Sequence, residues 1–313
     1  MPTEIGFRGA DCPVGIRYVE DPTGVTHTFV TRAQEFLVEK AIPKDPVFEM
    51  GRFDTVGYLP LPERYTGQLT VNAMISDPIE RYFVATDGGW VTQIQLQNYI
   101  DGPDFWLTSP HGELGFARLA SVEYRATSGP TAATTTFRFI GKTMSVPVNT
   151  ISDDYVHAPN LDMPGAYYAG TVQLTISTGP RTILERVQSV VLRADLGTTE
   201  LYQLNTDPGT GVNTWLAGIA HDPPTVSAEI EAVLHDDYQG TIYEDATMLD
   251  MSLRFGDPSE DYFPLKAVVM PLPRLTGVPA RGNVRGWSTV TFRYMGSYGQ
   301  LMVNCATEAE PVI

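Results

Sequence analysis

Apolar and polar residues alternate with a period of two through the most regular segments of this chain. Val71, Ala73 and Ile75 are interleaved with Thr70, Asn72 and Met74, and Ile230, Ala232 and Leu234 with Glu229, Glu231 and Val233. The run from Val91 to Gln97 is mostly polar with apolar residues two apart. Such alternation predicts half-buried antiparallel strands, because successive side chains of a strand leave opposite faces of the sheet. The segments around Phe137/Phe139 and Phe292/Tyr294 add aromatic and β-branched residues suited to a pleated surface, with Arg138 and Arg293 on the face opposite the aromatics. Helical signal is thin. Ser76 to Phe83 offers a capping residue, Pro78 in the first turn and the acidic Glu80, which predicts one short helix over 78–86. Its counterpart over 237–246 is weaker, because Gly240 interrupts it. The expected fold is mainly β: two similar β-sandwich or β-barrel domains, each with about one short helix.

The two domains are expected to be similar because the chain repeats itself. Thr136-Phe137-Arg138-Phe139-Ile140-Gly141 recurs 155 positions later as Thr291-Phe292-Arg293-Tyr294-Met295-Gly296. Gln34 to Val38 followed by Val47 to Gly51 aligns with Gln188 to Leu192 followed by Leu201 to Asn205, 154 positions on. A third block, Leu69 to Asp77, aligns with Ala228 to Asp236 at a spacing of 159. Three blocks in one order at nearly one offset predict a tandem duplication. Matching stops between Asn149 and Gly165, where Asp153-Asp154, Pro159 and Pro164-Gly165 read as a polar linker. The expected layout is an N-terminal arm over 1–20, a first domain over 21–148, a linker over 149–165 and a second domain over 166–313. Each domain has a long connection at the same place, 51–65 and 205–224. Phe53, Tyr58, Leu59 and Leu61 in the first, and Trp215, Leu216 and Ile219 in the second, are too apolar for solvated tips and are expected to pack on a neighbour.

Composition narrows the function classes. The 313 residues carry 37 acidic and 21 basic side chains, a formal charge of −16, which disfavours a cationic clamp on nucleic acid or anionic lipid. With Gly 28 and Pro 24 against only 19% charged residues, many turns between strands are expected in place of coiled coils or helical solenoids. Cys12 and Cys305 stand at opposite ends of the chain and read as free thiols, with an intermolecular bridge as the alternative. The first residues lack the basic start and apolar run of a signal peptide, so synthesis in a cytoplasm is expected. The densest apolar stretch, Lys266 to Leu272, is far shorter than the roughly twenty residues a membrane helix needs.

Catalytic motifs are not evident. His27, His111, His157, His221 and His235 are scattered without metal-ligand spacing, and His221-Asp222 and His235-Asp236-Asp237 fall at strand ends, where polar residues cap turns. Gly209-Thr210-Gly211 is a turn and not a dinucleotide fingerprint, because position 214 is threonine. A pair of distant carboxylates of the glycosidase kind is the remaining enzymatic alternative. The expectation is no enzyme, no cofactor and no metal.

The second-half string Glu185 to Leu192, then Glu200 to Leu204, Pro223 to Ile230 and Ser288 to Phe292, with Pro46 to Arg52 in the first half, resembles the tube-type structural proteins of long bacteriophage tails. The resemblance covers most of both repeats and rests on strand pattern. It implies two tandem copies of a tube-type β domain, six such domains closing a ring, and rings stacking into a hollow tube. With two domains per chain, three chains complete a ring of pseudo-sixfold symmetry. A tube that conducts DNA without holding it is expected to have an acidic lumen, with Glu229 and Glu231 as the lumen-facing candidates. The long connections would meet the next ring, and Cys12 and Cys305 would meet across subunits. The implied partners are other copies of the chain, other tail proteins and a possible sheath. DNA would pass without specific binding, no membrane would be involved, and the protein would reside in the virion tail after assembly in a bacterial cytoplasm. A baseplate or tail-end ring is the alternative, followed by a β-sandwich carbohydrate-active enzyme or binding module.

Overall fold

The computed structural model describes residues 14–19, 26–31, 33–42, 44–48, 50, 54–60, 63–72, 84–85, 93–94, 105–109, 112–128, 133–145, 156–157, 172–177, 182–183, 187–203, 215–233, 250–255, 266–277, 280–281, 289–296 and 301–305. Every regular element among them is a β-strand. The described residues of the period-two segments, 70–72, 93–94 and 229–233, form strands as their alternation predicts, and the rest of those segments lies outside the described residues. No helix occurs among the described residues. At the end of the helix expected over 78–86 the chain is extended, Val84–Ala85 pairing with Gln93–Ile94. The rest of that span, and the counterpart over 237–246, lie outside the described residues.

The centre of the molecule is an antiparallel ladder that runs through both halves of the chain. Its order is Ala33–Ala41, Arg64–Asn72, Thr134–Gly141, Gly112–Thr127, Val187–Asp195, Thr225–Val233, Thr289–Gly296 and Pro273–Gly277. One face is apolar and buried: Leu69, Phe137, Phe139, Tyr124, Leu192, Ile230 and Phe292 belong to it. Directly paired residues of an antiparallel ladder share a face. The register Leu69↔Phe137 in the first half and Ile230↔Phe292 in the second thus stacks apolar side chains across strands. The apolar face is covered by two smaller arrays. In one, Gly15–Val19 lies between Thr26–Val30 and Phe105–Ser109, supplying Ile16, Phe105 and Leu107. In the other, Asp250–Phe255 lies between Val172–Ser177 and Lys266–Pro271, supplying Met251, Leu253, Val268 and Met270.

Strand Gly112–Thr127 serves both layers. Its first residues pair with Phe105–Ser109 and Thr143–Ser145, and its later ones with the central ladder. Between the two stands Phe116, at φ 50°. In the second half Leu272, at φ 44°, stands between Lys266–Pro271 in the small array and Pro273–Gly277 in the ladder. A bulky residue at positive φ is uncommon, and here it marks the corner where the chain changes sheet.

Pairings recur in this way throughout. Ala33–Ala41 and Val187–Asp195 are 154 positions apart at both ends, and Thr134–Gly141 and Thr289–Gly296 are 155 apart at both ends. The third block needs correction. Phe36 pairs with Leu69 as Val190 pairs with Ile230, which puts the equivalent residues 161 apart, not 159. The two-residue slip preserves the face, so the alternation could not expose it.

Three other expectations change. The described parts of the long connections include paired strands: Thr55–Pro60 pairs with Lys44–Phe48, and Trp215–His221 with Thr198–Gln203. Each extends the adjoining ladder strands into a long β-hairpin arm. Gly15–Val19, assigned to an arm over 1–20, is a strand paired on both sides, with Ile16 fully buried. Within 149–165, Val156–His157 pairs in parallel with Phe29–Val30, and the other residues of that linker lie outside the described ones.

Candidate assembly surface

Among the described residues three surfaces remain once the core is closed: the polar face of the central ladder, its two free edges and the hairpin arms. The polar face follows from register. Glu229 and Glu231 alternate with the buried Ala228, Ile230 and Ala232 and therefore point away from the core, as their spacing predicts. Glu229 Oε1 lies 2.9 Å from Arg293 Nε, and Glu231 accepts a hydrogen bond of 3.3 Å from the Ser189 hydroxyl. The pairing Glu229↔Arg293 is thus a cross-strand ion pair, in which Arg293 sits on the polar side expected of it.

The same face is not acidic as a whole. Its described carboxylates are Glu35, Glu39, Glu123, Asp195, Glu229 and Glu231. Its arginines with described side chains are Arg64, Arg118, Arg125, Arg138, Arg193, Arg274 and Arg293. The two signs are nearly equal, and several groups are already matched: Arg125 to Glu123, Arg193 to Asp195 and Arg64 to Glu200. Threonine and serine fill much of the remainder, including the contact of Thr70 with Thr136. The net charge of −16 therefore does not reside on this face, contrary to what Glu229 and Glu231 alone suggested.

The free edges are Ala33–Ala41 at one end of the ladder and Pro273–Gly277, continued by Ala280–Arg281, at the other. Among the described residues neither has a partner on its outer side. Leu37 is 53% exposed and Ile42 54% exposed beside the first edge. A long edge strand with unpaired backbone groups is a template for another strand.

The arms carry the apolar residues that the sequence placed in loops. Tyr58 is largely exposed and Ile219 half-buried. Leu59, Trp215 and Leu216 lie on arm strands, though their side chains are outside the described set, as are Phe53 and Leu61 altogether. Leu201 and Met50 are further exposed apolar residues of the arms. At the base of the first arm Lys40 Nζ lies 2.7 Å from Glu63 Oε1, and the Tyr65 hydroxyl donates to Glu63. These two hydrogen bonds hold the Glu63 carboxyl below its usual range. Arg64 Nε reaches Glu200 Oε2 of the second arm at 3.0 Å, and the Tyr202 hydroxyl donates to the same oxygen at 2.7 Å. The arms thus touch at their bases.

Cys305 lies on a strand paired with Lys266, and Cys12 lies outside the described residues. His27, His157 and His221 lie on strands, while His111 and His235 are outside the described set. No cluster of potential metal ligands occurs among the described residues. Nor does any described helix have the length and apolarity to cross a membrane. The edge residues were not singled out from sequence, because the 154-position repeat aligns Ile42 with Leu196, both apolar, and only the structure shows the first exposed and the second fully buried. No protein-family model matches the chain, and no curated protein does.

Proposed function

We propose that this protein is the tail tube protein of a long-tailed bacteriophage, a duplicated tube-type β domain that assembles into stacked rings. One observation carries the reading. The central ladder repeats a single strand order and register in its two halves, joins them edge to edge, and leaves the same two kinds of edge open. A chain built this way is two units of an array that further copies extend. Three chains supply six units, giving a ring of true threefold and pseudo-sixfold symmetry. The hairpin arms, which carry exposed apolar residues beyond the ladder, are the elements for contact between rings.

The polar ladder face is the one available to line a bore. Duplex DNA adheres to a protein chiefly through cations that neutralise phosphates and release counterions. Arginines matched by carboxylates, as Arg293 is by Glu229, offer little of that. Charge matching therefore takes the role first expected of a net acidic lumen. Glu229 and Glu231 contribute by occupying neighbouring arginine and hydroxyl donors.

Electron microscopy of the purified protein tests the proposal. Long hollow tubes with three chains per ring are expected. Single closed rings that never stack would favour a baseplate or tail-end component, and six chains per ring would overturn the duplicated-unit arrangement.

A further inference from the structure

The chain contains a worked example of its own intermolecular joint. Inside the molecule, Gly112–Thr127 of the first half pairs with Val187–Asp195 of the second in the register Ser121↔Asp195, Val122↔Ala194 and Tyr124↔Leu192. The joint is completed by hydrogen bonds from Leu196 N to Ala120 O at 2.9 Å and from Ser128 N to Gln188 O at 2.7 Å. Both strands have counterparts at the free edges. Val187–Asp195 corresponds to Ala33–Ala41, 154 positions earlier.

The later part of Gly112–Thr127 corresponds to 274–281. Arg118 pairs with Ile140 as Arg274 pairs with Met295, Leu119 with Phe139 as Leu275 with Tyr294, and Ser121 with Arg138 as Gly277 with Arg293. The β-bulge recurs as well, between Leu119 and Ser121 in one strand and between Leu275 and Gly277 in the other. The offset is 156 throughout, and it carries on to Ala280 and Arg281, which pair with Val290 and Thr289 as Tyr124 and Arg125 pair with Thr135 and Thr134.

We infer that two copies of this chain join head to tail, Ala33–Ala41 of one adding to the Pro273–Gly277 and Ala280–Arg281 edge of the next in the register of the internal joint. That register places Ala41 opposite Gly277 and Val38 opposite Ala280, and brings Ile42 N to Thr276 O. The inference builds on the assembly reading and goes beyond it by naming the edges and their alignment.

Burial supports the assignment independently of pairing. Leu196, Leu192 and Val190 are 0%, 0% and 3% exposed at the internal joint, whereas Ile42 is 54% exposed and Phe36 and Val38 are only partly buried at the free edge. On the other side Leu119 is buried and Leu275 only partly so. Apolar residues thus wait at both edges for the cover that their counterparts already have. One position departs: Lys40 stands where Ala194 does, and its charge is met by Glu63 of its own arm. The unlike edges cannot pair by a twofold axis in this register, so association is directional and ends only in a closed ring.

Cysteine cross-linking tests the register. In a chain with C12S and C305S, the pair Ala41→Cys and Gly277→Cys falls at a directly opposed position, within the reach of a disulfide. Mild oxidation is expected to move most of the chain into a ladder of dimers and trimers on a non-reducing gel. Glu39→Cys with Gly277→Cys, two residues out of register, is expected to leave it monomeric. Ser121→Cys with Asp195→Cys is the control that closes within one chain.

A ladder of equal strength from the shifted pair, or none from the aligned pair in protein that light scattering shows to be assembled, overturns the register. Should a cysteine variant misfold, Val38→Pro serves instead. By the alternation set at Leu196, the Val38 N–H points off the free edge, so proline there spares the chain's own ladder and blocks the next strand. The expected result is a folded monomer by circular dichroism and size exclusion. Unchanged assembly, or a native chain that stays monomeric at every concentration, refutes the inference. In-register ladders from rings that never form tubes would sink the tube reading alone, and tubes without ladders would sink the register alone.

Discussion

Tyr294 occupies in the second half the position that Phe139 holds in the first, and its hydroxyl marks the difference between them. The side chain is 1% exposed, its oxygen has no hydrogen-bond partner among the described residues, and burial pushes the phenol well above its ordinary range. Removing a buried unpaired hydroxyl without changing the ring's shape relieves a desolvation penalty. Tyr294→Phe is therefore expected to raise stability by up to about 1 kcal/mol, read as a higher urea midpoint. A loss of stability would show that the hydroxyl is satisfied. The glycines of the same two strands differ in the opposite sense. A Cβ at Gly141 would run into the side chain of Leu114, whereas at Gly296 it would meet the flexible Met270 at 3.3 Å. Gly141→Ala is expected to lose about 1–3 kcal/mol and Gly296→Ala clearly less, since methionine adapts more readily than leucine. Equal losses in urea unfolding would contradict this. The sequence showed both pairs as matched positions. It could not show that leucine fills one notch and methionine the other, because those residues come from strands of the opposite layer.

The hairpin arms show where element-level reading stopped. Their apolar residues were visible, but without strict alternation they read as packed loops, and only the backbone reveals Lys44–Phe48 and Thr55–Pro60 as paired. The bulges at Leu119/Ser121 and Leu275/Gly277 were equally invisible, since one extra residue in a strand leaves its composition unchanged. The arms have their own pH signature. Glu63 is held below its ordinary range by Lys40 and then by Tyr65. Its contribution is present above the ordinary carboxylate range and fades as acid protonates it. Lys40 and Glu63 are 39% and 42% exposed, so Glu63→Gln is expected to lose less than about 1 kcal/mol at neutral pH and progressively less as pH falls below the ordinary carboxylate range. A loss that persists in acid would mean that packing, not charge, is involved. Tyr65 and Tyr202 are pushed up to about 12, first by burial and then by their bonds to Glu63 and Glu200. A raised phenol stabilises the fold fully below its unfolded value near 10 and progressively less as pH climbs toward 12. The double variant Tyr65→Phe, Tyr202→Phe is expected to flatten that alkaline decline, and an unchanged pH profile would exclude these residues as its cause.

At the scale of the whole molecule, the internal repeat was legible because Thr136 to Gly141 and Thr291 to Gly296 lie on central strands whose composition packing constrains. The charge distribution was not, because a total of −16 says nothing about which residues share a face until register pairs them. A near-neutral polar face has a direct test. Assembled native protein is expected not to retain duplex DNA on a filter at about 50 mM salt, whereas Glu229→Gln with Glu231→Gln, which frees Arg293, should retain it and release it by about 200 mM. Retention by the native protein, or none by the variant, would mean that these carboxylates do not govern contact with DNA. The internal joint between Gly112–Thr127 and Val187–Asp195 has one more implication, which concerns the entropy of polymerisation. In an array whose joints inside and between chains are alike, folding closes every second joint, and association has only the alternate ones left to close. The loss of translational and rotational freedom that opposes growth is then incurred once for every two units placed. A chain of two units thus needs less free energy from each new contact than a chain of one, and shallow edges of this kind can sustain a long assembly.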